Sequence, residues 1–162
     1  MNPLCRLFLL GIILTGAIPV QAADVAPIQD PIAKETPAPI VCLTKALALG
    51  KLSITGAVNL CSGTPSSDAP IACFSKALTL GKLTVTGAVV LCSGTPSSDA
   101  PIDCFNKALT LGKLTVTGAN HLCSGTPNAN NSIDCFSAAL TTGKLSLHGA
   151  INVCGKATHV DE

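Results

Sequence analysis

The chain is predicted to be all-α: four disulfide-stapled αα-hairpins of one design, stacked as a short solenoid. Three observations predict this. A unit recurs four times at a constant period of 31 residues, starting at Ile40, Ile71, Ile102 and Ile133. Each copy carries helix punctuation at fixed places. Each also holds two cysteines, as in "CFSKALTLGKLTVTGAVVLC" from Cys73 to Cys92. Regular repetition of this kind marks an array whose units bury their apolar faces against neighbours.

The first segment, residues 1–22, has Arg6, an apolar run from Leu7 to about Ile18, then Pro19 and small residues up to Ala22. This is the anatomy of a secretory signal peptide cleaved after Ala22, whereas a membrane span needs roughly 20 apolar residues. Residues 23–39 contain four prolines and little apolar periodicity, and read as an extended leader. The repeats then occupy residues 40–70, 71–101, 102–132 and 133–162, the fourth diverging as an array-capping unit would.

In the first half of a unit, "SDAPIACFSKALTLG", Asp68 is expected to cap a helix, Pro70 to lie in its first turn and Gly81 to end it. Ile71, Phe74, Ala77 and Leu78 fall on one face. The second half, "KLTVTGAVVLCSG", is ambiguous. Thr84, Val85 and Thr86 are β-branched and Gly87 disfavours a helix interior, so a helix-plus-strand repeat is the alternative. Val85, Ala88, Leu91 and Cys92 have apolar equivalents in every copy at helical spacing, and a strand would put Asn120 in the middle of its buried face. These two points favour a second helix, capped by Thr84 and ended by Gly94. The glycine column Gly56, Gly87, Gly118 and Gly149 then permits close approach of a neighbouring helix.

Nine cysteines become eight when Cys5 leaves with the leader, and an even number in an exported chain implies disulfides. Cys73 lies eight residues before Gly81 and Cys92 eight after Thr84, so a hairpin brings them level at its open end. The predicted bonds are Cys42–Cys61, Cys73–Cys92, Cys104–Cys123 and Cys135–Cys154. Each closes a loop worth about 3 kcal/mol in the chain-entropy model, which matters because so small a hairpin buries little surface alone. Pairing of Cys61 with Cys73 across the connection is the alternative, and it leaves Cys42 and Cys154 without local partners.

Composition narrows function. Arg6 is the only arginine, so the chain after residue 22 has nine lysines against nine acidic residues. It has no Trp or Tyr, and its aromatics are Phe74, Phe105 and Phe136. Nucleic-acid binding, which leans on net positive charge, arginine forks and stacking rings, is not expected. No catalytic or phosphate-binding motif occurs, and no cofactor or metal is expected; His121, His148 and His159 sit at unrelated places in the unit and read as surface residues. "SGTPSS" reads as turn chemistry.

Two lysine columns remain, Lys45, Lys76 and Lys107, and Lys51, Lys82, Lys113 and Lys144. Stacking would turn each into a row of ammonium groups able to attract an anionic polymer. Lysines favoured near a helix C-terminus by the dipole, on a solvated face, are the simpler explanation, and Asp68, Asp99, Asp103 and Asp134 near the opposite end of the first helix fit that account. Position 90 varies as Asn59, Val90, His121 and Asn152, consistent with drift or with a variable contact surface. Asn130-Asn131-Ser132 fits an N-glycosylation sequon.

Two short helices per 31 residues resemble the hairpin repeats of the tetratricopeptide and Sel1-like classes. The large aromatics of those classes are absent here, and the resemblance implies no site residue. The expected protein is thus a secreted or periplasmic, non-enzymatic scaffold binding a protein or surface polymer, with no membrane span once the leader is removed. A secreted inhibitor or small enzyme acting through the inter-repeat loops is the alternative.

Overall fold

A computed structural model describes residues 36–155. The signal peptide expected over residues 1–22 and most of the leader lie outside them, as does His159. Eight helices are described: α1 (Ala38–Ala48), α2 (Ile54–Cys61), α3 (Ala69–Thr79), α4 (Val85–Cys92), α5 (Ala100–Thr110), α6 (Val116–Cys123), α7 (Ala129–Thr141) and α8 (Leu147–Cys154). They pair as α1–α2, α3–α4, α5–α6 and α7–α8, and each hairpin stacks on the next. The first helices form one layer and the second helices another. No strand occurs among the described residues, so the helix-plus-strand alternative is overturned.

The second half of the unit becomes helical because its threonine works as a cap. Thr84 is extended and its hydroxyl accepts from the Gly87 N–H at 3.1 Å. Ser53, Thr115 and Ser146 do the same for Gly56, Gly118 and Gly149. Satisfying an otherwise orphaned donor is worth about 1 kcal/mol, which offsets the β-branched residues that follow. Within each of the first three hairpins a glycine at positive φ (Gly50, Gly81, Gly112) turns the chain after the first helix.

The first helices start differently from expectation. Asp68 stands at the cap position, yet its side chain makes no cap bond. Ser66 instead accepts from the N–H groups of Asp68 and Ala69, at 3.3 and 3.1 Å, and Ser97 serves Asp99 and Ala100 identically. The aspartate is thereby released for another partner.

All four disulfides join the two helices of one hairpin: Cys42–Cys61, Cys73–Cys92, Cys104–Cys123 and Cys135–Cys154, with Cα–Cα distances of 5.5–5.6 Å. Around them lie Phe74, Phe105 and Phe136, the leucines Leu60, Leu91 and Leu122, and small residues such as Ala46, Ala77, Ala108, Ala57, Ala88 and Ala119. The alanines let helices approach closely while each phenylalanine fills the space between layers, a burial worth about 1.5–3 kcal/mol. In the first hairpin Leu43 stands in the phenylalanine column.

The buried face of the second helices is shifted from the expected stripe. Ala88, Leu91 and Cys92 are buried, but Val85 is 44% exposed and its equivalents Ile54, Val116 and Leu147 are exposed too. Val85 instead lines an open groove between α2 and α4. Val89 takes its place in the core, and so does Asn120, whose polarity in sequence argues against burial. Asn120 Nδ2 donates to the Gly87 carbonyl of the preceding hairpin at 3.1 Å, whereas its Oδ1 has no partner. The glycine column is close to the next hairpin as expected in the middle of the array: a Cβ at Gly87 would lie 3.6 Å from Asn120 Nδ2, and one at Gly118 only 3.3 Å from Ile151.

The fourth hairpin departs in three ways. Its first helix begins at an Asn128 cap and runs 13 residues, and the positive φ falls on Lys144 rather than on the preceding glycine. Gly155 replaces the serine that follows the second helix elsewhere, and a Cβ there would lie 2.8 Å from the His121 carbonyl oxygen.

Candidate functional site

The connection "SGTPSS" is the part of the unit whose role the sequence conceals. Gly94 donates its N–H to the Leu60 carbonyl at 2.9 Å, and Gly125 to that of Leu91 at 2.8 Å. The Ser93 hydroxyl donates to the Asn59 carbonyl and that of Ser124 to Val90, both at 2.6 Å. Thr64 Oγ1 bonds locally to Ser66 and reaches the Thr95 carbonyl at 3.3 Å; Thr95 stands in the same relation to Ser97 and Thr126. Donors and acceptors on different units thus form a ladder that satisfies C-terminal carbonyls of α2 and α4.

The first lysine column belongs to the same ladder. Lys45 Nζ lies 2.6 Å from Asp68 Oδ1, Lys76 pairs with Asp99, and Lys107 donates to Asn130 Oδ1 at 2.6 Å. Each partner sits 23 residues on, at the start of the next hairpin. The lysine hydrogen bond, helped by Ser67 or Ser98, holds the Asp68 and Asp99 carboxyls below their ordinary pKa. Asp103 and Asp134 are exposed and outside these pairs. Asn130 is engaged by Lys107, and Ser132 is buried with its hydroxyl on Thr126 Oγ1, so the sequon is folded into a helix.

The second column, Lys51, Lys82, Lys113 and Lys144, lies at the tight turns, exposed in every copy. None of these lysines forms an ion pair among the described residues. Stacked hairpins put successive turns on the order of 10 Å apart, so the ammonium groups form a one-sided row. Each precedes the leucine and cap residue that open a second helix. Leu52 and Ser53 line one end of a groove of about 730 Å³ that runs between α2 and α4. Thr55, Asn59, Thr86 and Val90 also face this groove, which places two members of the variable column on it. His121 and Asn152 are exposed at the equivalent places, and His148 is exposed nearby in sequence.

No family model, curated protein or solved structure matches this chain.

Among the described residues no three His, Cys, Asp or Glu side chains gather in a way that could hold a metal ion. No described helix is long and apolar enough to cross a membrane. What the surface offers is therefore an ordered row of cations beside a groove lined by hydroxyls and by the apolar side chains of Leu52, Val85, Val89 and Val90.

Proposed function

We propose that this is an exported, non-enzymatic binding scaffold that presents the second-helix face and its lysine row to an anionic surface polymer, such as an acidic polysaccharide. Export is supported by the leader anatomy of residues 1–22 together with four disulfides, which persist in oxidising compartments. The observation that carries the binding role is the division of labour between the lysine columns. One column is spent on bonds between hairpins, while Lys51, Lys82, Lys113 and Lys144 repeat at every turn with no such partner among the described residues. A regular row of like charge with a flexible reach suits a polymer with regularly spaced anions better than a compact ligand.

The test is retention of the exported chain on an immobilised sulfated or carboxylated polysaccharide over a range of salt. Binding should weaken as salt rises. Reversing all four lysines to glutamate should lower affinity by at least roughly thirtyfold, taking about 0.5 kcal/mol for each exposed attraction lost before any repulsion is added. Binding that ignores salt, or that survives the reversal, refutes the reading.

A further inference from the structure

We propose that the two ends of the array recognise each other, so that a second copy of this chain seats its first hairpin on the fourth hairpin of the first copy and continues the stack. The interface needed already exists within one chain, where each hairpin uses one face toward its predecessor and the opposite face toward its successor. The end hairpins retain the unused halves.

On the leading face, Val58 is 46% exposed where Val89 of the next hairpin is 6% exposed. Ser62 and Gly63 are exposed there, whereas the equivalent Ser124 and Gly125 are buried against the carbonyls they bind. On the trailing face, Val153 is 67% exposed where Leu60, Leu91 and Leu122 are fully buried. The carbonyls of Asn152 and Val153 occupy the places of Asn59 and Leu60, which accept from Ser93 and Gly94. Ser62 and Gly63 of another copy supply the same two donors. Apolar and polar halves therefore match in the register used inside the chain.

Charge agrees. The internal rung pairs a lysine with the residue 23 positions on, and both halves are missing at the ends: Ala138 stands in the lysine column and Pro37 in the aspartate column. At that rung the copy-to-copy seam brings alanine and proline together and leaves no unmatched ion, which would otherwise oppose it. Val153 thus leaves an apolar residue on the outer face of the fourth hairpin, at a place that a following unit covers elsewhere. Because the two faces differ, the contact is heterologous, and repetition of the same displacement gives an open stack of chains rather than a closed dimer.

Sedimentation velocity on the exported chain over a hundredfold concentration range should show mass rising from one chain to a series of multiples. Val58→Glu blocks the leading face and Val153→Glu the trailing face; each variant alone should run as a single chain with an unchanged helical circular dichroism spectrum. Mixed in equal amounts they should form a species of two chains and nothing larger, since each brings the one face the other lacks. Should either valine variant unfold, Ser62→Arg and Asn152→Trp repeat the experiment at exposed polar sites. A wild-type chain that stays single at every concentration, its ends covered by its own flanking residues, overturns the proposal. So does association that persists in both variants, or a mixture that fails to pair.

Discussion

The second and third hairpins and the fourth follow one repeat pattern, the fourth with the most substitutions, and they end in different environments. Cys73, Cys92, Cys104 and Cys123 are fully buried, while Cys135 and Cys154 are partly exposed. Leu91 and Leu122 are inaccessible, and Val153 is mostly in solvent. The difference lies in what comes next along the chain, since the inner hairpins are roofed by a following unit. Stability in this protein is accordingly a property of seams between units as much as of the units themselves.

The largest way to break that comparison is to truncate the same column inside and at the end. Leu91→Ala should cost about 2–5 kcal/mol, because a fully buried leucine leaves a cavity that packed neighbours fill only in part. Val153→Ala should change stability by less than about 0.5 kcal/mol. Urea unfolding of the two variants reads both, and equal costs would mean that the fourth hairpin is roofed after all.

A smaller effect is expected at the ladder. Thr95→Val keeps the shape but removes the hydroxyl that binds Ser97 and reaches Thr126, at an expected cost of about 1–2 kcal/mol. Asn120 sharpens the comparison in the other direction. Its Oδ1 is buried without a partner, whereas the same place in the second hairpin is Val89. Asn120→Val should therefore raise the midpoint of denaturation, by about 1 kcal/mol.

The smallest effect concerns the ion pairs. Asp68 and Asp99 have folded-state pKa values below their ordinary 3.8, so what they contribute is fully present above that value and is lost as the pH falls below it through the lowered one. Asp68→Asn with Asp99→Asn should narrow its gap from wild type across that acidic window and keep a constant gap above it. A gap that instead opens on acidification would contradict the assigned pairs.

The hairpin, the second helix and all four disulfides were legible in the sequence, because they depend on local spacing: caps, turn glycines and cysteines equidistant from the turn. The seams were not. Ser93 and Asn59 are 34 residues apart, and the serine, glycine and threonine that build the ladder are the residues that any tight turn would use. The Lys45–Asp68 rung had a faint signal, a lysine and an acidic or amide residue that recur at a fixed offset of 23 in the first three copies. The Val85 column misled because periodicity locates a face without saying which side of a short helix another layer will cover. Asn120 misled because polarity alone does not show that a backbone carbonyl waits 3.1 Å away.

Every cross-link between units reaches only the adjacent one, and this makes the number of units adjustable. If residues 71–101 were excised, Lys45 would still meet Asp68, Ser124 would meet the Asn59 carbonyl in place of Val90, and Thr64 would meet Thr126 as Thr95 does now. A shortened or lengthened descendant would fold by the same rules, its lysine row losing or gaining one ammonium group per step. Reach along a ligand could then be altered by recombination between near-identical coding segments, without inventing a new interface.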